Sequence, residues 1–179
     1  SHNQKMLQVA NGKGIRCLLD GVPFAAVATS EHNRRTLDFT TATLERQQLL
    51  ATPDGQQLLF HSRRLVSLAE QRLMSMAITL TPLNFSGELT VISSLDARVQ
   101  AQAESDDPRA GEQAGRDSTQ SLGRVHQGNC QVLLHDIKAS PFVVGAAMGH
   151  QGQCGEWRPI TDEDDLQAVE ARVAVQRQQ

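Results

Sequence analysis

Along much of this chain apolar side chains recur at every second position, the spacing that gathers them on one face of a β-strand. Met74, Met76, Ile78 and Leu80 alternate with Ser75, Ala77 and Thr79. After them Pro82-Leu83-Asn84-Phe85-Ser86-Gly87 has the residues of a turn. Leu89, Val91, Ser93 and Leu95 then share one face and Thr90, Ile92 and Ser94 the other. Two alternating runs joined by a short Asn/Ser/Gly connection predict a β-hairpin. A second hairpin is predicted upstream, where residues 42–50 carry Leu44 and Leu50 in register. Pro53-Asp54-Gly55 supplies its turn: proline fixes φ and glycine tolerates a positive one. Residues 56–67 return as a long strand with Leu58, Phe60 and, after a change of face, Leu65. The centre of that strand, His61-Ser62-Arg63-Arg64, is polar, so one face should meet solvent or another domain. Shorter strands are expected over 15–19, 35–39, 131–137 and 142–147, punctuated by Gly21, Pro23 and Ser140-Pro141. Many short strands divided by turn residues predict an all-β fold, an antiparallel β-sandwich.

Three stretches depart from the alternation. Residues 100–121, rich in Gln, Ala, Asp, Gly and Ser, show no apolar period and are expected to form a long mobile loop. Asn11-Gly12-Lys13-Gly14 is expected to be a turn ahead of the first strand. Residues 161–179 fit two readings. Thr161 to Asp164 is suited to capping a helix with Leu166, Val169 and Val173 at helical spacing, whereas Val169, Ala171, Val173 and Val175 alternate as in a strand.

A length of 179 residues fits one domain over 1–179. The net charge of −3 gives no pull toward nucleic acid or an anionic membrane surface, and no apolar run approaches the roughly 20 residues that span a bilayer. Ser1-His2-Asn3-Gln4-Lys5 shows no secretory signal, so none is expected, and a first residue other than Met suggests a piece of a longer polypeptide. Cys17, Cys130 and Cys154 are odd in number and have no CxxC spacing, so free thiols in the reducing cytoplasm are expected, with one disulfide as the unsupported alternative.

Candidate chemistry is sparse. The six histidines make no HxH or HExxH motif; His150 and Cys154 stand four apart without a second pair. His126 falls in a Gly-rich connection and His135 within a strand. Asp38, Glu88 and Asp96 lie near strand ends and are the candidate carboxylates for glycosyl transfer, with surface positions the simpler expectation. The run 162–165 lacks the spaced oxygen ligands of a calcium loop. There is no GxSxG elbow, and Gly145 to Gly149 reads as a permissive strand end. No catalytic, cofactor-binding or metal-binding residue and no cofactor is expected on this chain.

One resemblance adds to this. Arg35-Thr36-Leu37-Asp38-Phe39 with Leu44-Glu45-Arg46 resembles the R-x-LD…G-x-L-x-R segment in the N-terminal domain of glycoside hydrolase family 65, which holds maltose, trehalose and kojibiose phosphorylases and some trehalose hydrolases. Ser62-Arg63-Arg64-Leu65-Val66-Ser67-Leu68 is similar to its RFVS strand, and Leu80-Thr81-Pro82-Leu83-Asn84-Phe85-Ser86-Gly87 to its L-x-P-x-N-x-SG turn, followed by Ile92-Ser93-Ser94-Leu95-Asp96. Upstream, Val9-Ala10-Asn11-Gly12 and Leu18-Leu19-Asp20-Gly21-Val22-Pro23-Phe24 resemble L-P-N-W…IDGE-F. Together they cover about residues 7 to 98 in order, while 122–175 fits loosely. Gly12, Thr41 and Arg64 depart from the family's aromatic, Gly and Phe, which marks a divergent branch and leaves the substrate open.

The resemblance implies a supersandwich-like domain, incomplete here, and a catalytic (α/α)6 barrel absent from this chain that carries the general acid and the phosphate site. The implied partners are that barrel in the same polypeptide, a homodimer, and an α-glucoside disaccharide with phosphate for the parent enzyme. The implied role is non-catalytic support of the barrel, with Arg63 and Arg64 on the polar strand as a candidate contact. Two rivals remain. A stand-alone carbohydrate- or protein-binding module would want exposed aromatics, and the chain has five Phe, one Trp and no Tyr. A small mutarotase-like enzyme would need His61, His135 and Glu88 to converge.

Overall fold

The computed structural model describes residues 9–98, 119–138, 140–161 and 163–177. Among them thirteen strands and no helix occur, in the order β1 (Asn11–Leu19), β2 (Val22–Pro23), β3 (Ala25–Ala26), β4 (Arg34–Asp38), β5 (Thr43–Ala51), β6 (Gln57–Val66), β7 (Met74–Pro82), β8 (Gly87–Asp96), β9 (Thr119–Gln127), β10 (Cys130–Ile137), β11 (Val143–Gly149), β12 (Arg158–Pro159) and β13 (Leu166–Val175). The fold class is all-β, an antiparallel β-sandwich, as the alternation predicts. The strands form sheets of order β12-β13-β8-β1-β2, β11-β10-β9 and β3-β5-β6-β7, with β4 also paired to β5. The backbone clusters into two compact units, and the division falls inside β1, β8 and β13.

One unit comprises Cys17–Thr90 and Val173–Gln179. Asp20 and Gly21 both take positive φ, 49° and 83°, between the paired residues Leu19 and Val22. That is the left-handed two-residue connection for which Asp-Gly is suited. Gly55, at φ 87°, closes the predicted Pro53-Asp54-Gly55 turn by donating its N–H to the Thr52 carbonyl at 3.0 Å. β5 and β6 then pair from Thr43–Leu65 to Ala51–Gln57, and β6 pairs β7 from Leu58–Pro82 to Val66–Met74. Buried Cys17, Leu19, Leu49, Leu58, Phe85 and Leu89 form this unit's core. Leu49 is the buried leucine of β5, while Leu44 and Leu50, in register with each other, are half-buried.

The other unit comprises Ser1–Arg16 and Val91–Arg172. Its core is Val91, Ile92, Leu95, Leu133, Ala168, Val169 and Ala171, with buried Ser93, Gln131, His135 and Gln167. Ser93 Oγ donates to Met148 Sδ at 3.5 Å, linking β8 to β11 of another sheet.

Several boundaries differ from expectation. Asn11 to Gly14 belong to β1 rather than to a turn. The glycines serve close approach: a Cβ on Gly14 would stand 2.2 Å from Ser94 Oγ, and one on Gly12 3.5 Å from Leu95. Of the segment 100–121, residues 100–118 lie outside the described residues, and Thr119 to Ser121 already belong to β9. His126 is a strand residue of β9, not part of a connection. β9 escapes the alternation test because it is polar and broken by a bulge. Gly123, at φ 123°, pairs Leu134 while Ser121 pairs His135, so Leu122 is one residue extra. Residues 166–175 are strand, which settles the two readings of the C-terminal segment. Four of five successive residues there, Gln167, Ala168, Val169 and Ala171, are buried, so burial on both faces blurs the period.

Candidate functional site

In the unit built on β4–β7, Asp38 ends β4 and is engaged by its own turn. Its carboxylate accepts from Thr40 N at 2.8 Å and Thr41 Oγ1 at 2.9 Å. These bonds, the Thr41 hydroxyl first, hold its pKa below the ordinary carboxylate range. Glu88 is exposed near the start of β8 in the same unit. Asp96 belongs to the other unit, where the Arg98 guanidinium binds it at 2.9 Å and lowers its pKa. Arg98 also reaches Glu163 at 3.1 Å, tying the end of β8 to the approach to β13. Asp96 is thus committed to a structural ion pair.

His61, the centre of the polar strand, lies 3.9 Å from Glu45, which receives Arg63 at 3.1 Å. Glu45 stands directly opposite Arg63 in the β5–β6 register, so the pair follows from strand alternation. His135 belongs to the other unit, nearly buried, with Nε2 3.1 Å from Asp165 Oδ1. It borders a small, largely apolar recess with Thr119 and Val144. The His150 ring stacks on Trp157, centroids 4.2 Å apart and planes 26° apart. Burial lowers its pKa. Among the described residues no group of three or more His, Cys, Asp or Glu has the arrangement of a metal site. All three cysteines are free thiols, and burial pushes Cys17 up to about 12.

What stands out instead is a cluster of exposed apolar residues at one end of the β4–β7 sheet. The register aligns the end of β4, the start of β5, the end of β6 and the start of β7 at that end. Leu37, Phe39, Leu65, Val66, Leu68, Leu73 and Met74 are exposed there, Phe39 at 87% and Leu68 at 83%. Singly such residues are ordinary on a surface; here seven gather at one sheet end. Period-two reading missed it because the cluster is assembled from four strand ends and the 67–73 loop.

Comparison with known proteins gives this geometry a context. A family model described as the N-terminal domain of glycosyl hydrolase family 65 matches residues 1–179. An α,α-trehalose phosphorylase from Thermoanaerobacter brockii is 33% identical over 146 residues, 81% of this chain and 19% of that protein. Uncharacterized glycosyl hydrolases from two Mycobacterium tuberculosis strains, CDC 1551 / Oshkosh and ATCC 25618 / H37Rv, are 28% identical over 149 residues, 83% of this chain and 19% of theirs. The chain spans about a fifth of the length of these curated relatives. No helix among the described residues is long and apolar enough to cross a membrane.

Proposed function

This chain belongs to glycosyl hydrolase family 65 as its N-terminal domain, and from that premise we propose that it is the non-catalytic domain of a disaccharide phosphorylase, docked on a catalytic (α/α)6 barrel in the same polypeptide. The parent reaction would be phosphate-dependent cleavage of an α-glucosidic disaccharide, with α,α-trehalose first in line because the Thermoanaerobacter relative is named for it. The observation that carries the docking role is the apolar sheet end formed by Leu37, Phe39, Leu65, Val66, Leu68, Leu73 and Met74. Burying such a cluster against protein stabilises by about 25 cal/mol per Å² of apolar area removed from water. The candidate acids and bases support the same reading: Asp38, Asp96, His61, His135 and His150 engage neighbouring protein groups. Free thiols agree with a reducing, cytoplasmic setting.

The test is made on the whole enzyme. Incubation with α,α-trehalose should release glucose and a glucose phosphate only when inorganic phosphate is present. Glucose release without phosphate would make it a hydrolase, and inertness toward every α-glucosidic disaccharide tried would sink the enzymatic reading. Phe39→Asp with Leu68→Asp should lower the melting temperature of the whole enzyme and its activity together. Because both side chains are exposed within this domain, an unchanged melting temperature and activity would remove the docking role.

A further inference from the structure

Backbone geometry singles out β7. Ser67 N donates to the Leu73 carbonyl at 3.0 Å and Leu83 N to the Gln57 carbonyl at 2.9 Å, one bond at either end of the β6–β7 ladder. In an antiparallel pair the bonded residues alternate, and both backbone groups of a residue point to the same side. Continuing the register between those two bonds assigns Ser75, Ala77, Thr79 and Thr81 to β6. Met74, Met76, Ile78 and Leu80 therefore turn their N–H and C=O groups to the outer side, where no described strand pairs with β7.

This edge has none of the usual protection. Strands at sheet margins are kept from pairing by charge, proline, bulges or brevity. β2, β3 and β12 are two residues long, and β9 carries Arg124 and a bulge. β7 is nine residues, Met-Ser-Met-Ala-Ile-Thr-Leu-Thr-Pro, with no charged side chain and its only proline at the last position. β11 is uncharged too, but it is shorter and holds Gly145 and Gly149. The exposed apolar cluster reaches the start of β7 through Leu73 and Met74.

The path of the chain indicates what covers the edge. Arg177 N donates to Ser86 Oγ at 2.9 Å, so the polypeptide leaves the described residues beside the turn that follows β7, four residues past Pro82. The relatives are about five times longer than the matched region, and an N-terminal domain has the remainder after it. We propose that a segment following residue 179 of the same polypeptide runs back along β7 and adds to it as an antiparallel strand, bonding Met74, Met76, Ile78 and Leu80. Antiparallel entry follows from the exit beside the C-terminal end of β7. The added strand should be uncharged toward the core side it shares with Met76, Ile78 and Leu80 and polar on the side of Ala77 and Thr79.

This inference rests on the reading of the chain as the first domain of a longer enzyme. The test is hydrogen exchange at single-amide resolution on the full-length protein. The amides of Met74, Met76, Ile78 and Leu80 should exchange within about tenfold of Ser75, Ala77 and Thr79, because both sets would be ladder bonded. Protection should persist at dilutions where sedimentation shows a monomer. Fast exchange at the four outward amides, beside slow exchange at the others, would overturn the proposal. Protection lost on dilution to monomers would overturn it in favour of a second copy of the chain. Ile78→Pro removes one outward donor and no bond to β6. It should speed Met74, Met76 and Leu80 and leave Ser75 and Ala77 slow; should that variant not fold, the wild-type pattern still decides. A full-length protein inactive on disaccharides but protected at β7 would lose the enzymatic reading and keep this one, and an active phosphorylase with a bare edge would do the reverse.

Discussion

Polar side chains inside the β8–β13 unit set its most sensitive positions. Gln131 is 1% exposed, and neither its amide nitrogen nor its amide oxygen has a partner among the described residues. A buried amide left unpaired costs about 1–3 kcal/mol. Gln131→Met, similar in length and without the polar atoms, should raise unfolding stability by about 1 kcal/mol, read from the denaturation midpoint at constant slope; a loss of stability would show that the amide has a partner after all. His150 offers a pH test. Burial depresses its folded pKa below the ordinary 6.5, so in the window just under 6.5 the unfolded chain binds the proton first. This group's contribution is therefore whole above 6.5 and is lost as the pH falls through the folded value. Trp157 is the chain's single tryptophan and lies against that imidazole. Fluorescence of the 179-residue chain should fall as the imidazolium forms, with a midpoint below 6.5, and His150→Phe should flatten the titration. A midpoint above 6.5 would contradict the burial argument. Neither feature was legible in the sequence, where position 131 is one residue of an alternating run and the ring pair is separated by the six residues 151–156.

At the scale of elements, strand identity was readable wherever one face is buried and the other wet. β7 and β8 match the alternation of Met76, Ile78 and Leu80 and of Leu89, Val91, Ser93 and Leu95. It failed where that contrast vanishes: in β9, which is polar with a bulge, in β13, buried on both faces, and at the start of β1, where glycines mimic a turn. The last case can be tested by coupling. Gly14→Ala alone places a methyl against Ser94 Oγ, which must rotate away from the Gly14 carbonyl it meets at 3.4 Å. A cost of about 1 kcal/mol is expected, and it should disappear in a Ser94→Ala background, because residues in contact are not additive. Equal costs in both backgrounds would mean that Gly14 is required by backbone conformation rather than by its neighbour.

For the whole molecule, family membership was legible as an ordered set of short motifs, whereas the exposed apolar sheet end was not, because it draws on residues from Leu37 to Met74 that only the sheet register brings to one end. The polar strand was a sequence-based candidate for the contact, and the structure changes how it must be tested. Arg63 faces Glu45 directly, so Arg63→Glu alone would oppose two carboxylates and weaken the sheet by about 0.2–1 kcal/mol whether or not the face touches a barrel. Exchanging the two, Glu45→Arg with Arg63→Glu, keeps the ion pair and reverses the order of charge across β5 and β6. If this face docks on the rest of the enzyme, the exchange should lower the activity and melting temperature of the full-length protein while leaving the isolated sheet's pairing intact. If it faces solvent, exposed ion pairs of this kind contribute at most about 1 kcal/mol, and the exchanged enzyme should be indistinguishable from the parent. The apolar end would then carry the docking by itself, and Phe39→Asp with Leu68→Asp should still separate the domains in the exchanged background.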